Sequence, residues 1–141
     1  MAYRLRPRVL DDLGLVDALE SLLSDFEKRS NVSCVFKHGD IPKINNTLST
    51  ALYRIGQEAV TNSLRYSKAN TIIVELKTED EGIVLLIQDN GCGFDVHNNN
   101  GVNGFGLEGM RERANLVGGK LDISSRLSHG TSICCKVKIK G

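Results

Sequence analysis

Ile83-Val84-Leu85-Leu86-Ile87-Gln88-Asp89-Asn90-Gly91-Cys92-Gly93-Phe94 is the stretch whose reading decides the fold. Its first five residues are all apolar and mostly branched, the pattern of a strand buried on both faces. The strand ends on a carboxylate, Asp89, and burying a carboxylate is costly unless something pairs with it. Gly91 and Gly93 then let the backbone turn and come close to a flat ligand. An ordinary Asp-Gly turn would carry the same letters. What raises the stretch above that is its position, after a wholly apolar strand and before Cys92 to Asn103. That segment, with Asn98-Asn99-Asn100-Gly101, holds almost no apolar residues and reads as a long flexible loop, a kind that inside a compact domain is usually functional or disordered.

Upstream, Thr71 to Lys77 is a second strand, joined by the polar turn Thr78-Glu79-Asp80-Glu81-Gly82 into an antiparallel hairpin. Before it, Asn46 to Tyr66 repeats apolar residues at helical spacing through Leu48, Leu52, Ile55 and Ala59. Asn31 to Lys37 alternates as a strand, with Val32, Cys34 and Phe36 on one side. Asp11 to Arg29 is an amphipathic helix with Leu13, Val16, Leu19, Leu22, Leu23 and Phe26 as its stripe. Downstream, Leu107 to Val117 is a helix ended by Gly118-Gly119. Leu121 to Ser125 and Thr131 to Lys138 are the last strands, with Ile133, Cys135, Val137 and Ile139 facing the core. The order αβαββαββ gives an α+β fold, a two-layer α/β sandwich with about three helices on one face of a mixed β-sheet.

The chain has 141 residues, 40% hydrophobic and 25% charged, so it reads as one globular domain with a core of its own. A net charge of +1 gives no general electrostatic case for nucleic acid or an anionic membrane. No apolar run approaches the ~20 residues of a membrane span. Met1 to Pro7 is basic without an apolar stretch and does not read as a signal peptide. Cys34, Cys92, Cys134 and Cys135 form no CxxC and have no His at ligand spacing, so reduced thiols in a cytoplasmic protein are expected rather than zinc or disulfides.

Two further motifs carry chemistry. Glu58, Asn62, Arg65 and Tyr66 fall at i, i+4, i+7 and i+8, on one side of a helix at about 100° per residue. Asn62 offers a neutral oxygen ligand to Mg²⁺, Glu58 a carboxylate for a metal-bound water or for base catalysis, and Arg65 a partner for phosphate. A solvated helix edge would look similar. Gly104-Phe105-Gly106-Leu107 opens the next helix, where free N–H groups receive anions, and the preceding loop would close over them as a lid. It is neither a Walker loop nor a dinucleotide fingerprint directly after a strand.

Taken in order, these motifs resemble the ATP-binding module (Bergerat fold) shared by sensor histidine kinases, gyrase-type ATPases, Hsp90 and MutL. Glu58 to Tyr66 resembles its N box, Asp89 to Phe94 its G1 box, Gly104 to Leu107 its G2 box and Gly130-Thr131 its last box. Leu5-Arg6-Pro7-x-x-Leu10-x-x-Leu13-Gly14-Leu15, Gln57-Glu58-Ala59-x-x-Asn62 and Gly109-Met110-Arg111-Glu112-Arg113-Ala114 narrow the resemblance to the nitrate-sensor and DesK-like class of histidine kinases. The resemblance implies ATP as substrate and Mg²⁺ held by Asn62 with Glu58, these two being the catalytic pair. It implies nucleotide contacts from Asn62, Arg65, Tyr66, Asp89, Gly91, Gly93, Phe94, Gly104, Gly106, Leu107 and Thr131. Asp89 would read the adenine amine.

It also implies partners: a dimerisation domain bearing the acceptor His, and a response regulator with a helix-turn-helix output. His38, His97 and His129 all fall in turns or in the lid, so the acceptor helix is expected outside this chain. Residues 1–10 would then be the end of a linker and 11–141 the ATP-binding catalytic domain, monomeric alone, cytoplasmic, and without nucleic-acid or direct membrane contact. The alternatives are an anti-sigma-factor-type protein Ser/Thr kinase, a gyrase- or Hsp90-like ATPase using Glu58 to activate water, and a nucleotide-sensing scaffold. The Leu-Arg-Pro motif and the Arg-Glu-Arg helix argue against the first. The second needs further domains, and the third should have lost Asn62 or Asp89.

Overall fold

The computed structural model describes residues 6–93 and 106–139. Its elements are α1 (Arg8–Arg29), β1 (Ser33–His38), α2 (Asn46–Asn62) running into a π turn (Ser63–Ser67), β2 (Thr71–Glu79), β3 (Gly82–Asp89), α3 (Leu107–Leu116), β4 (Lys120–Arg126) and β5 (Gly130–Lys138). The strands form one sheet in the order β1-β2-β3-β5-β4. β1 runs parallel to β2 through the α2 crossover, and every other pairing is antiparallel. This is the mixed sheet with three helices expected from the pattern.

Register explains where the core lies. Val74, Ile87, Ile133 and Ile123 pair across four strands, and Leu76, Leu85, Cys135 and Leu121 form the next row. All eight are buried except the half-buried Ile123, and the three helices cover this face. Leu19 of α1, Leu52 and Ile55 of α2 and Met110 of α3 are all fully enclosed. Each such side chain contributes about 1.5–3 kcal/mol of burial. Gly56 lets α2 approach, since a Cβ there would stand 3.2 Å from Leu19 Cδ2.

One sequence expectation, a strand β3 buried on both faces, is met without a second helical layer, and two need correction. Strand β3 is apolar on both faces, but helices cover only one. On the other face Val84 is buried and Leu86 half-buried among in-register neighbours, Lys77 and Lys136 flanking Val84, Glu75 and Cys134 flanking Leu86. Long aliphatic stems do there what a second helical layer would do elsewhere. The first correction is that the β2–β3 turn is shorter than its polar sequence implied. Glu79 pairs with Gly82, leaving Asp80 (φ 51) and Glu81 (φ 62) as the two connecting residues. Positive φ at both is the geometry that matches the twist of a two-residue hairpin.

The second is that α1 begins at Arg8, not Asp11, and is broken at Gly14 (φ 84, ψ 172). The break resets the helical phase, so Leu13 is 50% exposed while Leu15, Ala18, Leu19, Leu22 and Leu23 are buried. Ahead of the break, Leu10 is buried in the core. Arg6 fastens this segment to the first turn of α2. Its Nη1 donates to Asn46 O (2.8 Å), Ser49 Oγ (2.9 Å) and Thr50 Oγ1 (2.6 Å), while Nε pairs with Asp11 (2.6 Å). No helix among the described residues is long and apolar enough to cross a membrane.

Candidate functional site

One row further along the inner face of the sheet, the apolar pattern stops. Ile72 pairs with Asp89, Asp89 with Thr131, and Thr131 with Ser125. Because side chains alternate strictly along a strand, the register that buries Ile87 and Ile133 also turns Asp89 and Thr131 toward the helices. The rim of the core is therefore polar where α2 ends above it.

Asp89 is held there by the protein itself. Ser63 donates its hydroxyl to Oδ2 at 2.6 Å, and the N–H groups of Gly91 (2.9 Å) and Thr131 (3.3 Å) donate to Oδ1. The sequence suggested an adenine amine as the partner of this half-buried carboxylate. The structure adds three protein donors, which fix the carboxylate and leave it acceptor capacity for a ligand N–H. Thr131 is fixed in turn, its hydroxyl 2.8 Å from that of the buried Ser125, which also donates to Gly130 O at 3.3 Å.

Glycine shapes the surrounding backbone. Gly130 (φ 86) lies so close to Asp89 O that a Cβ would collide with it. Gly93 (φ 67) leaves the same lack of room against Arg126 O. The β4–β5 turn closes over this corner through Ser128 N–H to Cys92 O at 2.6 Å. On the other flank Asn90 ties β3 to the start of β2. Its Oδ1 accepts from Asn70 and Thr71 N–H (both 3.0 Å), and its Nδ2 donates to Asn70 Oδ1 (2.6 Å).

The second wall is the C-terminal half of α2. Glu58 and Asn62 stand one turn apart and both are half-buried. Glu58 lies against the start of α3, where a Cβ on Gly106 would be 2.7 Å from Glu58 Oε2. Gly106 (φ 67) is the cap residue of α3 and offers no side-chain cap. The first intrahelical bond runs from Met110 N–H to Gly106 O. Leu107, Glu108 and Gly109 therefore present N–H groups without an intrahelical acceptor, at the positive end of the helix dipole. After Asn62 the helix widens into the π turn, which ends at Lys68 in a left-handed conformation (φ 54). A π turn takes more residues per revolution than an α turn, so the α-helical phase that put Arg65 and Tyr66 beside Glu58 does not continue. Arg65 is exposed.

The structure thus brings Glu58, Gly106 and Leu107 together at one end of the site, and Asp89, Gly91, Gly93 and Thr131 at the other, with Asn62 on the helix between. Phe94, Gly104, His97, Leu5 and most of the expected lid lie outside the described residues, as does the side chain of Tyr66. Sequence reasoning missed Ser63, Ser125 and Asn90. Ser63 directly follows Asn62, but at α-helical phase it points away from Glu58, so only the pairing with Asp89 reveals it.

The donor set suits Mg²⁺. Glu58 and Asn62 supply two oxygen donors one turn apart, and no group of three or more His, Cys, Asp or Glu that could hold a metal occurs among the described residues. A small cation that keeps its waters and takes most of its remaining ligands from phosphate needs no fuller cage. The thiols behave differently. Cys92 is exposed at the corner of the site, whereas Cys135 is buried and its pKa is pushed up to about 11 by burial. Burial also raises Cys34 and Cys134.

Residues 47–141 match the family described as Histidine kinase-, DNA gyrase B-, and HSP90-like ATPase. The chain is 34% identical over 140 residues to the oxygen sensor histidine kinase NreB of Staphylococcus carnosus, a match that covers 99% of this chain and 40% of that protein. Among solved structures, the catalytic domain of histidine kinase ThkA superposes with a TM-score of 0.72 at 14% identity, covering 92% of each chain. The ATP binding domain of PrrB from Mycobacterium tuberculosis superposes at 0.70 and 17% identity, over 90% of this chain and 95% of that one. Acinetobacter baumannii histidine kinase AdeS gives 0.74 and 15%, over 95% and 74%. At such identities these structures establish a shared fold. The chain spans 40% of the length of the curated relative it matches.

Proposed function

The chain belongs to the histidine kinase-, DNA gyrase B- and HSP90-like ATPase family, and from that premise we propose that it is the ATP-binding catalytic domain of a sensor histidine kinase. In the cytoplasm it would pass the γ-phosphoryl group of ATP to a His on a separate dimerisation domain, which in turn serves a response regulator with a helix-turn-helix output. The observation that carries the reading is the pinned Asp89 carboxylate. Ser63, Gly91 and Thr131 hold it at the polar edge of an otherwise apolar sheet face, a setting suited to recognising the exocyclic amine of adenine.

In this reading Gly91, Gly93, Phe94 and Thr131 shape the base pocket, and Tyr66 flanks the nucleotide. Arg65 faces phosphate from the solvent side. Gly104, Gly106 and Leu107 offer backbone N–H groups to the phosphates at the start of α3. Asn62, with Glu58, would hold Mg²⁺, which when bound neutralises the phosphate oxygens. The acceptor imidazole nitrogen attacks Pγ, the bond from Pγ to the bridging oxygen breaks, and ADP leaves with that oxygen. The chain's own part is positioning and charge neutralisation, as in other phosphoryl transfers.

Calorimetry of Mg-ATP with this chain, followed for ADP release in the same sample, tests the proposal. One-site binding with negligible turnover is expected, together with acid-labile phosphate on an added His-bearing dimerisation domain. Sustained hydrolysis would move the reading to an ATPase with Glu58 activating water. Acid-stable phosphate on Ser would move it to a Ser/Thr kinase, and absence of binding would overturn it.

A further inference from the structure

The end of the domain opposite the nucleotide site carries a groove that the proposed phosphoryl transfer does not use. It consists of two adjoining hollows of about 370 and 490 Å³ that share Thr47, Leu116 and Val117. One wall is α2, which presents Thr47, Thr50, Ala51 and Arg54 at i, i+3, i+4 and i+7. The other wall is α3, which presents Arg113 and Leu116 at i and i+3. Ile44, Leu48, Val117 and Val137 line the floor beside the polar Asn45 and Asn46, and the smaller hollow is the more apolar of the two. Leu116 stands at the lip, 80% exposed.

Charge sets this groove apart. Arg6, Arg54 and Arg113 line one hollow and Lys43 and Lys138 the other; Arg6 is paired with Asp11, and no carboxylate is among the described residues lining either hollow. The whole chain has a net charge of only +1, with 18 basic and 17 acidic residues, so the run of cations is local and not a sample of a basic protein. A trough between two helices, with helical spacing along its wall, apolar side chains on its floor and a cationic rim, has the shape and charge to receive a third helix.

We infer that this groove docks an acidic amphipathic helix of a partner protein. Its apolar face would cover Leu116 and Val117, and its carboxylates would meet Arg113, Lys43 and Lys138. Rim charges of this kind set association rate and partner choice, while the exposed leucine supplies the apolar anchor.

The test uses a synthetic amphipathic peptide of about five helical turns, with Leu at helical spacing and Glu on both flanks, and a twin with Lys in place of Glu. Amide shifts of the isotope-labelled chain are followed by NMR. With the acidic peptide, shifts are expected at Thr47, Ala51, Leu116 and Val117. Leu116→Glu, and separately Arg113→Glu with Lys138→Glu, should each weaken binding at least tenfold, and salt should weaken it further. Mg-ADP affinity, measured on the same samples, should not change, which separates this inference from the nucleotide reading. Equal binding of the Lys twin, no shifts with the acidic peptide, or shifts elsewhere would overturn it. So would binding to phosphatidylglycerol vesicles in place of the peptide, or a self-associated chain that Leu116→Glu renders monomeric.

Discussion

The two ends of α2 are built on opposite terms. At the first turn, Asn45 caps the helix by accepting from Leu48 N–H at 2.8 Å, and Arg6 reaches across to Asn46, Ser49 and Thr50. These contacts start and hold the helix, and Arg6 and Thr50 also line the groove beyond it. At the last turn no such economy is visible. The helix widens into a π turn, half-buried polar side chains face the core edge, and Ser63 reaches out to steady a carboxylate on another element. Single π turns inside helices often mark functional sites. One helix thus carries its stability at one end and its chemistry at the other, and substitutions should separate the two.

The largest effect is expected where site and backbone coincide. Gly93→Ala puts a Cβ into Arg126 O at positive φ, and should cost about 3 kcal/mol in urea unfolding. Loss of nucleotide binding in that variant would come with loss of fold. Next, Asn62→Ala should lower Mg-ADP affinity at least about a hundredfold, equivalent to about 2.7 kcal/mol, in a chain that still unfolds cooperatively in urea. Unchanged affinity would sink the metal assignment. Third, Arg6→Ala should show the reverse: a stability loss of about 1–2 kcal/mol, with Mg-ADP affinity intact in calorimetry. If Arg6→Ala weakened binding and left the melting curve alone, the division of α2 would be wrong.

The smallest effect concerns the thiols. Cys92 should be alkylated readily and shielded a few-fold by bound ADP, while Cys135 stays inert until the chain unfolds. Equal rates with and without ADP would argue against a base pocket at that corner. The same burial has a pH signature. Folded Cys135 holds its proton more tightly than the ordinary thiol value of 9.0, so its contribution to stability is present below that value. That contribution is lost as pH rises through about 11. Denaturation of Cys135→Ala and of the parent chain across that range would show the difference.

Much of the fold was legible because strands and helices advertise their period. Ile133, Cys135 and Val137 alternate, Leu48, Leu52 and Ile55 recur by turns, and Gly118-Gly119 ends a helix as such pairs do. Phase breaks inside continuous patterns were not legible. A lone Gly14 is compatible with an unbroken helix, and nothing in Ser63–Ser67 announces a π turn, because that geometry is set by packing against β3 and β5. The site was legible as motifs and not as contacts. Asp89 was found from its strand and its glycines, whereas its tie to Ser63 depends on two elements 26 residues apart. The groove beyond Leu116 left no motif at all, since its cations come from five separate stretches of chain.

The row Ile72–Asp89–Thr131–Ser125 has a genetic consequence. The same alternation along β5 points Ile133 and Val137 into the core and Thr131 toward Asp89. Loss of the Gly130 or Thr131 codon would shift the strand by one place, sending Lys136 and Lys138 inward and setting Ser132 in place of Thr131 opposite Asp89, in one event. The recognition row therefore cannot be shifted in register apart from the core beneath it. Variation compatible with a folded domain has to come by replacement at these positions, or by insertion in the loops that the sheet does not count.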